Sequence, residues 1–168
     1  MRRLAALALL ASLGGVSLSG CATTPGMTMA SRAASAFVAT AASIDLYEIE
    51  SSRLALQRSQ SPMVRMHAQM MIRDHDNKSA KLRAAAANVG LGVPAQMLPM
   101  HAAMLDELTR SANFDATYRD QQIASHRQAL TLMDRYARRG DVPQLRGVAA
   151  AAVPVIRGHL DHAQRAGF

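Results

Sequence analysis

The distribution of hydrophobic and polar positions along this chain predicts helices throughout and no strands. From about residue 33 onward, Ala, Leu, Met, Gln and Arg predominate, and these residues favour helices. Val and Ile are sparse and never alternate with polar residues, as they would in a half-buried strand. Apolar residues instead recur at the spacing of one helix face. The pattern therefore predicts an all-α protein.

Proline, glycine and capping residues predict four long helices and one short helix. These are helix A at about 33–59, helix B from Ser61-Pro62 to about 88, a short helix at about 99–111, helix C from Asn113 or Asp115 to Gly140, and helix D from Asp141 to the C-terminus. Pro154 is expected to kink helix D. The long B–C connection, residues 89–113, can cross the bundle from end to end. This arrangement predicts a ferritin-like four-helix bundle whose B–C crossover carries the short helix.

The first 20 residues have the pattern of a signal peptide. Arg2 and Arg3 precede an apolar run that is too short to span a membrane. The run ends in Leu18-Ser19-Gly20-Cys21, which resembles the lipobox of bacterial lipoproteins. That resemblance implies a lipid anchor on Cys21, and Ala22 implies the periplasmic face of the outer membrane. The alternative is a soluble periplasmic protein in which Cys21 is incidental.

The expected organisation is therefore a signal peptide at 1–20, a lipidated cysteine with a flexible tether at 21–32, and a bundle domain at 33–168. The net charge of the whole chain is +7, and that of the part from Cys21 onward is +5. No dense basic block occurs, so nucleic-acid binding is not expected, whereas anionic head groups or cell-wall polymers suit the charge. A single cysteine excludes disulfides and thiolate metal sites. The sequence identifies a membrane as partner through the lipid, and no protein partner.

Each long helix carries one polar residue within its apolar stripe: Glu48, His75, His126 and His159. Glu48 and His75 lie at similar distances from the A–B turn, and His126 and His159 lie at similar distances from the C–D turn. Within each pair, the heights along the bundle axis differ by about 4.5 Å. The four side chains are therefore expected to converge near the middle of the bundle. They could bind Zn²⁺, Fe²⁺ or Cu²⁺. The alternative is a purely structural layer of hydrogen-bonded side chains.

A methionine–histidine pattern occurs twice, as Met63-x-x-Met66-His67-x-x-Met70 and as Met97-x-x-Met100-His101-x-x-Met104. Its spacing places the side chains on one helix face. Thioethers and imidazole suit Cu(I) and Ag(I). Alternatively these residues pack as a flank of helix B beneath the short helix.

From about Phe37 onward, the chain resembles the exported bacterial proteins of domain-of-unknown-function family 4142. The matching pieces are Glu48, Asp74-His75, Phe114-Asp115-x-x-Tyr118, Gln122-x-x-x-His126-x-x-Ala129 and Pro154-x-x-x-x-His159-Leu160. The resemblance implies a ferritin-like bundle and no known activity. It also marks Asp74, Asp115, Tyr118 and Gln122 as polar residues that support the site. Ser51-Ser52 and Met66-His67 depart from the family's usual residues.

Two main functions follow as hypotheses. The first is a non-enzymatic envelope protein that acts in stress tolerance or in structural interaction. The second is a periplasmic metal-binding protein that holds copper, zinc or iron. The sequence contains no Gly-x-Ser-x-Gly, His-Glu-x-x-His or phosphate-binding glycine loop. An oxidoreductase with one bound metal is a third hypothesis, although the chain lacks a dedicated acid–base set.

Overall fold

The computed structural model describes residues 29–165, and the described residues contain helices and no strand. The helices are α1 Met29–Arg58, α2 Pro62–Ala87, α3 Pro99–Arg110, α4 Phe114–Arg139 and α5 Pro143–Arg165. None of these helices is both long and apolar enough to cross a membrane. The predicted signal peptide and Cys21 lie outside the described residues. The prediction of an all-α protein is confirmed.

The four long helices form a bundle in which α1 packs against α2 and α4, and α5 packs against α4 and α2. Side-chain contacts show that α1 and α4 are antiparallel, because Phe37 stacks on Tyr136 while Ser52 bonds to Tyr118. Helix α2 is antiparallel to α5, because His67 contacts His162 while Asp74 bonds to His159. Helices α4 and α5 are joined by a short turn and pack against each other as antiparallel neighbours, so α2 and α4 run in the same direction on one diagonal. The connection between them therefore crosses the length of the bundle, as the ferritin-like prediction requires.

Helix α3 lies on the crossover and packs against α1 and α4. His101 of α3 fixes this position: its Nδ1 lies 2.6 Å from Ser43 Oγ on α1, and its Nε2 lies 3.2 Å from Gln128 Oε1 on α4. The expectation that the Met/His flank of α2 packs beneath α3 is therefore not met. The crossover follows the α1–α4 side of the bundle, because the hydrogen bonds of His101 join it to those two helices.

The helix boundaries agree closely with the sequence predictions. Ser61 caps α2 by accepting a hydrogen bond from the Val64 backbone N–H at 3.4 Å, and Pro62 is the first helical residue. Helix α1 begins at Met29, four residues before the predicted start at 33 and within the range predicted as tether. Met, Ala and Arg in this segment are good helix formers, so the helix extends further. Helix α5 continues through Pro154.

A polar layer divides the apolar core into two parts. The larger part includes Phe37, Ile44, Met133 and Ile156, and the smaller part surrounds Leu108, Phe114 and Tyr118. Between them lie fully or almost fully buried polar side chains: Asp45, Glu48, His67, His75, Gln122, Ser125, His126 and His159. Because buried polar groups are costly without partners, the contacts within this layer indicate whether it is only structural.

Candidate metal centre

Three histidines from three helices meet at the centre of the polar layer. His75 lies on α2, His126 on α4 and His159 on α5, and all three are buried. One ring nitrogen of each lies within 4.8 Å of those of the other two. The ring centroids are 5.4–5.7 Å apart. The predicted convergence of these histidines is therefore found in the fold, and they are the residues that could hold a metal ion.

Each of these histidines also bonds through one ring nitrogen to a fixed oxygen. His75 Nδ1 is 2.9 Å from Asp45 Oδ1, His126 Nδ1 is 2.8 Å from the Gln122 carbonyl oxygen, and His159 Nε2 is 3.0 Å from Asp74 Oδ2. A carbonyl or carboxylate oxygen only accepts hydrogen bonds. These three nitrogens must therefore carry the proton and donate. Metal-binding histidines in proteins are held in the same way.

The remaining nitrogens are His75 Nε2, His126 Nε2 and His159 Nδ1. Each is buried and has no hydrogen-bond partner within residues 29–165. Because the proton of each neutral ring is on the other nitrogen, each of these atoms presents a lone pair. Buried polar atoms in proteins almost always have a partner, and three such lone pairs close together are unusual. Three convergent nitrogen donors fit a cation, and this test favours a metal site over a structural layer.

His67 and His101 show what a purely structural buried histidine looks like in the same protein. His101 bonds through both nitrogens, to Ser43 and Gln128. His67 also uses both, with Nδ1 at 2.9 Å from His162 Nδ1 and Nε2 at 3.0 Å from Gln122 Oε1. The three central histidines differ because each leaves one nitrogen without a partner in the described structure.

Glu48 lies beside the three histidines and is not one of the converging donors. Its carboxylate accepts hydrogen bonds from Gln122 Nε2 at 2.6 Å and from Ser125 Oγ at 2.5 Å. Glu48 Oε1 is also 3.5 Å from His126 Nδ1. Glu48 was predicted as a direct ligand, but in the structure it lies beside the three histidines. Gln122 and Ser125 of α4 donate hydrogen bonds to both of its carboxylate oxygens.

Burial governs the protonation of the site. Desolvation lowers the pKa of His75 to about 4, with Lys78 adding to the effect, and lowers the pKa of His126 to about 3. Burial also lowers the pKa of His159, while Asp74 opposes the shift. These imidazoles are therefore neutral at pH 7, the form that binds metals.

The pKa values of the two carboxyl groups in the layer, Asp45 and Glu48, are shifted in opposite directions. Burial alone would raise the pKa of Asp45, yet Lys78 at 2.8 Å and His75 bring that pKa below its usual value. Burial raises the pKa of Glu48, which has no lysine or arginine paired with it in the described structure. A positive ion at the three histidines would favour the ionised form of Glu48.

We predict that the metal-free protein loses stability as the pH falls from about 6.5 toward 4. The pKa values of His75, His126 and His159 are lower in the folded than in the unfolded chain, where they are about 6.5. The unfolded chain therefore binds more protons in this range, and the free energy of unfolding falls with pH. The raised pKa of Glu48 has the opposite effect on the pH dependence of stability. Urea unfolding at pH 7.5, 6 and 5 tests this, and an unchanged midpoint would contradict it.

The Met/His pattern does not form one uniform face. His67 and His101 are buried, whereas Met63, Met66 and Met100 are 42%, 50% and 51% exposed. Met70, Met97 and Met104 are partly buried. In each copy the histidine thus turns into the bundle, and the methionine directly before it is exposed. Neither copy joins the three-histidine site.

The supporting residues have different positions. Asp74 holds His159, Gln122 bonds to both Glu48 and His67, and the Tyr118 hydroxyl lies 2.8 Å from Ser52 Oγ. Asp115 lies in the first turn of α4, away from these contacts.

Sequence reasoning missed Asp45, Ser125 and His162. Asp45 lies three residues before Glu48, so helix spacing could have placed it on the same face. Ser125 lies next to His126 in the sequence, and helix spacing gives no such signal for it. His162 follows His159 by three residues on α5, and the same spacing could have placed both on one face. Only the packing of α5 against α2 shows that His162 reaches His67.

Solved structures with the same fold include two of the protein CopM. CopM in the Cu(II)-bound form has a TM-score of 0.67 and 20% identity, and the match covers 79% of this chain and 93% of that one. The Cu(I)-bound form has a TM-score of 0.66 and 15% identity over the same shares. A DUF305 fragment from Deinococcus radiodurans has a TM-score of 0.69 and 17% identity, covering 83% of this chain and 96% of that one.

These identities show a shared fold alone. Among curated proteins, none has a sequence that matches this chain. A family described as a domain of unknown function, DUF4142, matches residues 19–166. The match includes the helices that carry His75, His126 and His159, and it agrees with the resemblance found in the sequence. The chain therefore belongs to the DUF4142 family.

Proposed function

We propose that this protein binds one transition-metal ion through His75, His126 and His159. The observation that carries the proposal is the set of three buried ring nitrogens that have no hydrogen-bond partner in the described structure and lie on rings whose other nitrogens are fixed. A structural layer needs partners for both nitrogens of each ring, as His101 has. Metal binding satisfies all three lone pairs at once.

The donors favour copper, zinc, nickel or iron, which imidazole binds well. Calcium and magnesium are disfavoured, because they prefer oxygen ligands. Three histidines leave one position open on a four-coordinate ion. The neighbouring charge of Glu48 also offsets the charge of a divalent ion.

Among these metals we propose copper first. Two structures with this fold are copper-bound forms of CopM, and copper in either oxidation state accepts imidazole. The support comes from the fold and the donor set together, since the sequences are too different for residues to be transferred. A protein that binds copper in the cell envelope would fit both hypotheses drawn from the sequence, metal binding and stress tolerance.

The location in the envelope remains a proposal that depends on Cys21. A lipid on Cys21 would place the bundle a short distance from the membrane. Labelling with a radioactive or clickable fatty acid tests this, because the label should appear in the wild type and disappear in Cys21→Ser. Equal labelling of both chains would contradict the anchor.

The binding proposal is tested by metal analysis and by titration against chelators of known affinity. We expect one copper ion per chain in the wild type. His159→Ala should reduce the affinity at least about a hundredfold, since loss of a direct ligand exceeds the 10- to 100-fold effect of a supporting residue. His101→Asn is the matched control, because His101 is equally buried and bonds through both nitrogens.

His101→Asn should leave the stoichiometry unchanged, and it also tests the second Met/His copy. If His101→Asn loses copper binding and His159→Ala retains it, the copper binds at the Met/His pattern and not at the three histidines. If the wild type takes up zinc but no copper, the site stands and the choice of copper is wrong. If it binds neither ion in competition with a micromolar chelator, the proposal fails.

A further inference from the structure

A groove with a basic rim lies between the first half of α1 and the C-terminal half of α4. Its floor is apolar: Phe37 and Tyr136 stack with ring centroids 3.8 Å apart, and Leu132 lies beside them. The groove has a volume of about 660 Å³. This volume lies within the range of about 300–1,000 Å³ found for small-molecule sites. The groove is thus large enough to hold part of an amphiphilic molecule.

The charged residues that line the groove are three arginines of α4, Arg127, Arg135 and Arg139, and one carboxylate, Asp141, which accepts a hydrogen bond from the Tyr136 hydroxyl. All three arginines are exposed, and none of their guanidinium groups has an ion pair or hydrogen bond among residues 29–165. Their neighbour Arg138, by contrast, pairs with Asp134. An adjoining depression is lined by Arg135, Arg139 and Arg157 together with this Arg138–Asp134 pair. The guanidinium groups are therefore available to an external anion.

The charge of these arginines identifies the chemistry of the ligand. Guanidinium groups bind phosphate and carboxylate oxygens through paired N–H bonds. The apolar floor formed by Phe37, Leu132 and Tyr136 suits hydrocarbon. A phospholipid with an anionic head combines both features. The chain's own N-terminal apolar segment is a poorer match, because it begins with the basic residues Arg2 and Arg3.

The place of the groove in the fold agrees with a membrane. Ala33 and Ala36 of α1 line it, close to the point where the preceding segment joins the bundle at Met29. The lipid proposed on Cys21 would therefore hold this end of the bundle nearest the bilayer. The three-histidine site lies further along the bundle, so the two sites are separate.

We propose that this groove binds the headgroup region of a phospholipid at the surface of an anionic bilayer. Arg127, Arg135 and Arg139 contact phosphate, while glycerol and the first acyl carbons lie against Phe37 and Tyr136. The bound lipid fixes the orientation of the bundle on the membrane. The inference does not depend on metal binding.

Vesicle co-sedimentation tests the inference. The protein used is the full chain with Cys21→Ser, to which no lipid is attached. It is mixed with vesicles of phosphatidylcholine alone or with vesicles of phosphatidylcholine that also contain phosphatidylglycerol. We expect preferential binding to the anionic vesicles. The ratio between the two vesicle types cancels any charge-independent contribution from the N-terminal apolar run. Arg127→Gln/Arg135→Gln/Arg139→Gln should lower the ratio at least about tenfold, given the contribution expected for each basic residue at a membrane surface.

The matched control removes the same charge elsewhere, as Arg53→Gln/Lys81→Gln/Arg83→Gln, and should keep most of the preference. Equal losses in both triple variants would show attraction by net charge alone and overturn the site. Absence of anionic preference in the parent chain would also overturn it. If inorganic phosphate at low millimolar concentration releases the protein at constant ionic strength, the groove binds a free anion and the membrane assignment is wrong.

Discussion

Replacing His126 with leucine is expected to abolish metal binding and to raise the stability of the metal-free protein. His126 Nε2 is buried and has no hydrogen-bond partner in the described structure, and an unsatisfied buried group costs about 1–3 kcal/mol. Leucine removes that group and fills a similar volume. The Gln122 carbonyl, which accepts from His126 Nδ1, keeps its helical hydrogen bond. We expect the free energy of unfolding to rise by about 1 kcal/mol.

Denaturant unfolding with and without metal measures both effects. The wild type should gain about 2.7 kcal/mol when free metal exceeds the dissociation constant about a hundredfold, whereas His126→Leu should gain nothing. His101→Leu is the control, because it breaks the bonds to Ser43 and Gln128. It should lose stability and keep the gain from metal. If His126→Leu loses as much stability as His101→Leu in the metal-free form, the proposed cost of the free nitrogen is wrong.

Asp45→Ala is expected to lower the free energy of unfolding by about 3–5 kcal/mol. The carboxylate is 1% exposed and accepts from His75 Nδ1 at 2.9 Å and Ser79 Oγ at 3.1 Å. It also pairs with Lys78 Nζ at 2.8 Å. Alanine leaves the lysine charge largely buried without its partner. His75 also loses the acceptor that fixes its proton on Nδ1, so metal affinity should fall about 10- to 100-fold.

A second variant separates the two consequences of losing Asp45. In Asp45→Ala/Lys78→Met the unpaired cation is removed, so most of the lost stability should return while the metal affinity stays low. Urea unfolding and chelator competition on the same samples give both quantities. Full recovery of affinity in the double variant would show that Asp45 acts only through the charge of Lys78. A loss below about 1 kcal/mol in Asp45→Ala would show that the buried pair contributes little.

Helix periodicity predicted much of the fold and the centre of the site. Regular apolar spacing gave the four long helices, and the polar exceptions at His75, His126 and His159 were visible in the sequence because each interrupts a buried stripe. Their common level followed from the distance of each to its turn. Both arguments use only the geometry of single helices, which the chain specifies locally.

Contacts that depend on the rotation and depth of neighbouring helices could not be predicted in this way. His67 was placed on a flank of α2, whereas α4 and α5 bring Gln122 and His162 against it and bury it. Glu48 was placed among the ligands, yet Ser125 on α4 takes one of its oxygens. Asp45 supports His75 across 30 residues of sequence, a pairing that no single-helix pattern contains.

X-ray absorption at the copper edge of the loaded protein tests the central claim most directly. If His75, His126 and His159 hold the ion, the spectrum should show nitrogen neighbours with the multiple scattering of imidazole rings and no sulfur neighbour. The signal should disappear in His126→Leu and persist in Met63→Leu/Met66→Leu, whose methionines are exposed. Sulfur scattering that disappears in the methionine variant would place the metal on the Met/His pattern and contradict the three-histidine site.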